Sequence, residues 1–225
     1  MRHYLDHAAT SPMRPVAREA YVEALATFGT PSSVHATGRA ANGALETARE
    51  EIAALLGAHP TEVVFTSGAT EAANSAVHGL WAERPEGRVL RSAVEHHAVL
   101  EPLAALADRG AHIGALPVLR SSVLDLDEAA RQLDPGRGPV CIVAVQSANN
   151  ETGAIQPVSE LAPLVERAQG PLVVDAAQSI GHVPWTFRDS GATVAFASAH
   201  KWGGPGGVGV MLARRFDGAV PARRA

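Results

Sequence analysis

Short runs of apolar and β-branched residues alternate along the chain with longer segments that have helical spacing. The apolar runs predict seven strands, at 62–67, 88–94, 112–118, 140–147, 172–176, 194–198 and 208–213. Helical patterns lie between the first five strands, at 69–81, 98–109, 126–133 and 158–168, and two further helices are predicted before the sheet, at 15–27 and 38–56. Alternation of this kind predicts right-handed crossovers and a parallel sheet.

The connection between the last two predicted strands differs from the others. Only residues 200–207 join them, which is too short for a helical crossover, so the final strand should run antiparallel to its neighbour. The sequence therefore predicts an α/β fold with about seven strands, a mostly parallel sheet, helices on both faces and an antiparallel last strand. We expect an arm and helices over 1–57, the sheet domain over 58–215 and an irregular tail over 216–225.

Polar residues follow five of the predicted strands, at the positions where an open α/β sheet forms its ligand site. They lie at 66–70, 95–97, 148–151, 175–178 and 198–201. Together they bring a turn of the phosphate-binding type, two histidines, two amides, a carboxylate and a lysine to one edge of the sheet. A binding site at this edge is the resulting prediction.

The turn at 67–70 follows a strand and opens a helix. Backbone N–H groups and the helix dipole favour an anion there, and the Thr70 hydroxyl is an added donor. This context indicates phosphate binding. An ordinary capped turn between strand and helix has the same pattern, so the motif alone leaves both interpretations open.

Asp175 follows the apolar run 172–174, where an ionised carboxylate is costly unless a cation or strong donor meets it. One interpretation is a magnesium ligand of a P-loop nucleotidase, but the chain lacks the G-x-x-x-x-G-K-[ST] motif. The other is a partner for the protonated ring nitrogen of pyridoxal phosphate, which uses that charge as an electron sink.

The composition draws attention to a single lysine. The chain has eighteen arginines and one lysine, Lys201, which lies in a Gly-rich segment between two apolar strands. A lone lysine is usually a solvated surface charge. A lysine amine can nevertheless lose its proton and attack a carbonyl, whereas an arginine guanidinium stays protonated. A chain that has exchanged its dispensable lysines for arginine would keep one that acts in this way.

Three other features are weaker candidates for chemistry. His96 and His97 are adjacent, so they rarely point into one metal site, and no H-E-x-x-H spacing supports one. The segment 204–209 matches G-x-G-x-x-G but precedes a strand, which argues against a dinucleotide site. Cys141 begins an apolar strand and is expected to pack as a small buried hydrophobe.

Charge and hydropathy exclude several classes of partner. The net charge is −4 at pH 7 with a pI of about 6.2, so no basic surface for nucleic acid is expected. No apolar run approaches the roughly 20 residues of a membrane helix. One cysteine cannot form an internal disulfide and the first residues lack an apolar signal core, so we expect a cytoplasmic protein without a metal site.

The motifs together resemble those of the cysteine desulfurases, pyridoxal-phosphate-dependent enzymes with the class V aminotransferase fold. The resemblance covers essentially the whole chain in the right order. It rests on the segments Tyr4-Leu5-Asp6-His7-Ala8-Ala9-Thr10, Ser33-Val34-His35, Phe65-Thr66-Ser67-Gly68-Ala69-Thr70-Glu71, Glu95-His96-His97-Ala98-Val99-Leu100, Asn149-Asn150-Glu151-Thr152-Gly153, Asp175-Ala176-Ala177-Gln178-Ser179 and His200-Lys201.

This resemblance implies a role for each matched residue. Lys201 would bind the cofactor covalently and later move the substrate's α-proton, and His96 would stack on the ring and complete the catalytic pair. Asp175 would pair with the ring nitrogen and Gln178 with the phenolic oxygen. The remaining cofactor contacts would come from Asn150 at the cofactor or substrate and from Ala69, Thr70, Ser198 and His200 at the phosphate.

The resemblance also implies parts that this sequence does not contain. A cysteine desulfurase uses a mobile thiolate, which takes sulfur from L-cysteine and leaves L-alanine, in a small C-terminal domain beyond the lysine. We therefore expect a chain that carries the cofactor half without the persulfide cysteine or small domain. The expected partners are a second copy of the chain and a sulfur-acceptor protein, in sulfur metabolism such as iron–sulfur cluster assembly. Alternatives are another class V aminotransferase or lyase acting on a small amino acid, and a truncated or split protein that binds the cofactor without turnover.

Overall fold

The computed structural model describes residues 3–214 of the chain. Its strands are β1 (Val63–Thr66), β2 (Arg88–Ser92), β3 (Ile113–Leu116), β4 (Val140–Gln146), β5 (Leu172–Asp175), β6 (Val194–Ser198) and β7 (Gly209–Ala213). Its helices are α1 (Pro15–Ala24), α2 (Ala36–Leu56), α3 (Ala69–Glu83), α4 (His97–Ala107), α5 (Leu126–Gln132), α6 (Val158–Arg167) and α7 (Phe187–Ser190). The predicted tail at 216–225 lies outside the described residues.

The seven strands form one sheet in the order β1-β7-β6-β5-β4-β2-β3. Strands β2 to β6 pair in parallel, while β7 is antiparallel to both β6 and β1. The predicted fold class and the antiparallel last strand are therefore confirmed. Because β6 and β7 are neighbours joined by a short connection, they have to run in opposite directions.

The core consists of two apolar layers, one on each face of the sheet. Helices α3 and α4 cover one face, where Val77 and Leu103 are fully buried. Helices α5, α6 and the end of α2 cover the other, and Leu161 of α6 lies there without exposure. Every residue of β4 is buried, which explains why this interior strand appears in the sequence as an almost continuous apolar run.

The structure contains one helix that the hydrophobic pattern did not predict. It is α7, a single turn between β5 and β6, whose preceding residue Thr186 accepts a hydrogen bond from the N–H of Asp189 at 3.1 Å. One turn is too short to produce a helical repeat of apolar residues.

Helix α1 has no buried residue. The predicted boundary between the N-terminal arm and helices at 1–57 and the sheet domain at 58–215 stays a prediction.

The beginning of β7 lies against the turn between β1 and α3. A Cβ atom added at Gly209 would lie 2.5 Å from the Cα of Gly68 and 2.8 Å from Oγ1 of Thr66. Two backbones approach each other at this point, and only glycine leaves room for both. The close contact fixes the position of the Gly68 turn relative to the sheet.

Replacing Gly209 by alanine should therefore destabilise the protein. We expect Gly209→Ala to lower the free energy of unfolding in urea by about 1–3 kcal/mol, because one of the two backbones has to shift. Gly206→Ala is the matched control, since a Cβ there meets no atom within 4 Å. Equal effects of the two substitutions would contradict the proposed close contact.

Candidate functional site

One cavity lies at the carboxyl ends of β4, β5 and β6, beside the first residues of α3 and α4. It has a volume of about 210 Å³. All nine residues predicted for the site line it: Ala69, Thr70, His96, Asn150, Asp175, Gln178, Ser198, His200 and Lys201. The structure thus brings these residues together, while their individual roles stay predictions.

One corner of the cavity is the first turn of α3. The residue before the helix is Gly68, which has no side chain to cap the helix, and the N–H of Ala69 donates instead to Oγ of Ser198 at 2.7 Å. A Cβ at Gly68 would lie 3.3 Å from that oxygen, so the turn and β6 are closely packed. The positive end of a fifteen-residue helix therefore faces the cavity, as an anion requires.

Asp175 lines the cavity from the end of β5. Its side chain is buried, with 7% of the residue exposed, and its Oδ1 accepts a hydrogen bond from the N–H of Ala177 at 2.9 Å. Burial raises the pKa of this carboxyl, while the Ala177 N–H and the positive charges of His96 and Lys201 lower it. A bound cation at this position would favour the ionised carboxylate.

Lys201 lies in the short 3₁₀ turn Ala199–Lys201 that follows β6. Its Nζ donates to the carbonyl oxygen of Ala8 at 2.5 Å, and its own carbonyl oxygen is 3.1 Å from Nε2 of His182. Burial lowers the pKa of the amine, and the charges of Asp175 and Asp6 oppose this shift. The lysine therefore loses its proton more easily than a solvated lysine does.

The N-terminal segment 6–11 packs against the lysine turn. The Ala8 carbonyl also accepts a hydrogen bond from Nε2 of Gln178 at 2.8 Å, and the N–H of Ser11 donates to the carbonyl of His200 at 2.8 Å. Burial and the nearby Lys201 charge lower the pKa of His200, whose Nδ1 is 3.1 Å from Oγ1 of Thr10. No site role was predicted for Ala8, because its contribution comes from the backbone.

The two adjacent histidines face different surroundings, as their neighbouring positions on one backbone predict. His96 lines the cavity and caps α4, since its Nδ1 accepts the N–H of Ala98 at 3.1 Å. His97 is the first residue of that helix, and the two rings are 6.2 Å apart at an angle of 73°. The cap fixes the His96 ring, which suits a residue that contacts a flat ligand.

Gln146 also lines the cavity, from the end of β4, and no site role was predicted for it. This residue is 2% exposed, and its Nε2 donates to the carbonyl of Val94. The sequence feature that could have identified Gln146 is its position as one polar residue at the end of an otherwise apolar strand. Its hydrogen bond connects the ends of β4 and β2 behind the cavity.

Cys141 lies in the apolar layer formed with α3 and α4. It is 1% exposed, its Sγ is 3.5 Å from the carbonyl oxygen of Leu80, and burial raises the pKa of the thiol to about 11. Hardly any reactive thiolate exists at neutral pH under these conditions.

Within residues 3–214, no group of three or more His, Cys, Asp or Glu side chains is placed to hold a metal ion. Over the same residues, no helix combines the length and hydropathy needed to cross a bilayer.

The lowered pKa of Lys201 can be tested by its reaction with an amine-selective acylating reagent. Because burial favours the neutral amine, we expect the rate to reach its midpoint at a lower pH than the ordinary lysine value of 10.5. Asp175→Asn should lower this midpoint further, since it removes a negative charge that raises the pKa. Asp108→Asn, at an exposed position, is the control. Mass spectrometry assigns the label, because the chain has one lysine. A midpoint at or above 10.5 would show that burial does not act on this amine.

Comparison with known proteins agrees with this geometry. The family model for aminotransferase class-V matches residues 3–221. An IscS-like cysteine desulfurase of Mycobacterium tuberculosis is 42% identical over 224 residues, which cover 97% of this chain and 57% of that protein. The cysteine desulfurase IscS of Dictyoglomus turgidum is 40% identical over 215 residues, covering 94% of this chain and 54% of its own length. The chain thus spans about half the length of these curated relatives.

Solved structures give the same result. A NifS-like protein matches with a TM-score of 0.91 at 32% identity, covering 100% of this chain and 62% of that chain. SspA in complex with cysteine matches with a TM-score of 0.86 at 30% identity, covering 94% and 61% of the respective chains. These matches confirm the resemblance to cysteine desulfurases, and this chain belongs to the class-V aminotransferase family, which depends on pyridoxal phosphate.

Proposed function

We propose that the chain binds pyridoxal phosphate and forms the cofactor-binding half of a cysteine desulfurase, which converts L-cysteine to L-alanine and passes on the sulfur. The observation that carries this proposal is the joint position of Lys201 and Asp175. The only lysine of the chain and a buried strand-end carboxylate line one small cavity, beside the positive end of α3.

The residues of the cavity fit the chemical groups of this cofactor. The buried carboxyl of Asp175 favours a cationic ring nitrogen, and the half-buried amine of Lys201 can become neutral and attack an aldehyde. The α3 turn with Thr70 and the neighbouring Ser198 offer donors to a phosphate. A small flat dipolar ligand with one phosphate satisfies all three environments.

The individual roles follow from these positions. His96 would stack on the ring, held in place by its hydrogen bond from Ala98, and Gln178 and Asn150 would offer amide donors to oxygen atoms. Ala69, Thr70, Ser198 and His200 would hold the phosphate. When bound, the cofactor supplies an electron sink for the pair released as a bond to the amino acid's Cα breaks.

Lys201 is the group that moves the proton. Its neutral Nζ can accept the α-proton of an amino acid, and the ammonium so formed can return it, because burial places the pKa below that of a solvated lysine. The negative charge of Asp175 favours the ammonium form of Lys201, so it limits how far burial lowers the pKa of Lys201. The 3₁₀ turn and the Ala8 carbonyl hold the amine at one position during both steps.

L-Cysteine is the substrate we propose, and its support comes from the relatives. The curated relatives are named cysteine desulfurases, and SspA was solved in complex with cysteine. Cys141 does not accept the sulfur in this proposal, because it is buried with a raised pKa. The thiol that does so comes from another segment or polypeptide, which makes the sheet domain at 58–215 one of two functional parts.

The proposed function also includes protein partners, and an exposed apolar surface at helix α1 is where one of them would bind. Helix α1 exposes Val16 and Val22, and Leu25 and Phe28 just after it are 68% and 77% exposed. Apolar side chains exposed in this number favour burial against another protein surface. We assign this surface to a homodimer or the second functional part, with a sulfur-acceptor protein as a further partner in the cytoplasm.

Cofactor binding can be tested with the purified 225-residue chain and pyridoxal phosphate. We expect a visible absorption band of the bound cofactor and, after reduction with borohydride, one cofactor covalently attached at Lys201. Lys201→Ala should give no reduced adduct and at least a tenfold weaker affinity, because it lacks the only side-chain amine. The same spectrum from Lys201→Ala would refute the assignment.

The role of Cys141 can be tested with L-cysteine. We expect the cofactor-loaded chain alone to release no sulfide and to form no protein persulfide, because its one thiol is buried. Cys141→Ala should bind the cofactor as the unmodified chain does. A persulfide on Cys141, or sulfide release that Cys141→Ala abolishes, would contradict this assignment. Faster turnover of another amino acid would instead indicate a different member of the family.

A further inference from the structure

Glu95 is a buried acid that the proposed chemistry does not use. It is 7% exposed and directly precedes His96, on the connection between β2 and α4. Its Oε1 accepts the backbone N–H of Gln146 at 2.8 Å, while Oε2 is buried without a hydrogen-bond partner. A buried carboxyl oxygen without a partner costs more in the ionised form than in the protonated form.

The position of Glu95 explains why the fold needs this acid. The parallel ladder between β2 and β4 ends at the pair Arg91 and Ala144, so the backbone N–H of Gln146 finds no partner on β2. The Glu95 carboxyl supplies that partner, and the side chain of Gln146 donates in turn to the carbonyl of Val94. These two contacts continue the connection between the strands after the ladder has ended.

This connection reaches two of the residues that we assign to the cofactor ring. His96 is the next residue after Glu95, and Gln146 is paired in register with Asp175 on β5. Asn149 strengthens the same point, because its Nδ2 donates to the Val94 carbonyl at 3.1 Å. A change at Glu95 is therefore transmitted to His96 on one side and to Asp175 on the other.

The charges around Glu95 favour the protonated form. Burial and, to a smaller extent, the negative charge of Asp175 raise the pKa of this carboxyl, while the Gln146 N–H, the Ser92 hydroxyl and the positive charge of Arg91 lower it. Together these effects raise the pKa of Glu95 to about 8. Burial also raises the pKa of Asp175, but two positive charges, those of His96 and Lys201, oppose that shift. Asp175 also lines the cavity, so it is the acid of the two that a bound cation can reach.

We propose that Glu95 is a positioning residue that stays protonated and ties the end of β2, with His96, to the end of β4 beside Asp175. Its ionisation would put a second negative charge next to Asp175 and leave charge on the buried Oε2, which has no partner, so it would destabilise the folded arrangement of the two strand ends. The part of this inference that concerns the cofactor rests on the proposed function, while the tie itself does not.

The first test uses the chain without cofactor and compares its unfolding in urea with that of Glu95→Gln between pH 4.5 and 9. Since the folded pKa lies above the ordinary value of 4.5, the stability from this proton is complete below pH 4.5 and is lost as the pH rises to about 8. The unfolding constant of the unmodified chain, relative to Glu95→Gln, should therefore rise by up to about tenfold per pH unit in this window. Glu101→Gln, at an exposed position of α4, should keep the original pH dependence.

A second measurement uses the unmodified chain, so it does not depend on whether a variant folds. Carbon-13 carboxyl NMR of the unmodified chain should show one glutamate that titrates near pH 8. If all glutamates titrate near their ordinary value, or if Glu95→Gln unfolds with an unchanged pH dependence, the proposal is overturned.

The third measurement concerns the site. The dissociation constant of pyridoxal phosphate should increase at least fivefold more above pH 8 for the unmodified chain than for Glu95→Gln, because only in the former does ionisation of residue 95 disturb the strand ends that position His96 and Asp175. Identical pH profiles would overturn the positioning role. If Lys201→Ala refutes cofactor binding, the first two measurements still decide whether Glu95 forms the tie.

Discussion

The carboxyl group of Asp175 is the constraint on which the rest of the site depends. It ends a strand whose other three residues are fully buried, and it is itself only 7% exposed. An ionised carboxylate at such a position needs positive charge nearby, and the chain supplies it from His96 and Lys201. The parallel strands, which place their carboxyl ends at one edge, make this possible with residues far apart in sequence.

Two acids share this region, and their environments separate their behaviour. Both are buried, but the cations lie beside Asp175, whereas Glu95 binds a backbone N–H and has one oxygen without a partner. Like charges at short distance raise each other's pKa, so ionising both would cost more than ionising either alone. Asp175 is therefore the acid that a cationic ligand can reach and ionise, while Glu95 holds the strand ends together.

Much of the fold and site could be predicted from sequence, because both depend on residue types. Buried parallel strands are continuous apolar runs, so β4 and its neighbours were found within a few residues of their ends. The site residues were found because polar residues after such runs converge on one edge. Helix α7 was missed since one turn has no periodicity, and the role of Glu95 was missed since it depends on where the ladder between β2 and β4 stops.

Lys201 shows why backbone contacts from distant segments complete a site of this kind. A lysine side chain loses about 1.5–2 kcal/mol of rotamer freedom when it is fixed, so its position has to be stabilised by its surroundings. The 3₁₀ turn after β6 sets the direction of the lysine side chain. The carbonyl oxygen of Ala8, 193 positions earlier in the sequence, accepts a hydrogen bond from its Nζ and holds it in place. A backbone carbonyl has no side-chain signature, so any residue with the same conformation could provide it. Segment 6–11 therefore belongs to the site through its path across the lysine turn, which only the folded structure shows.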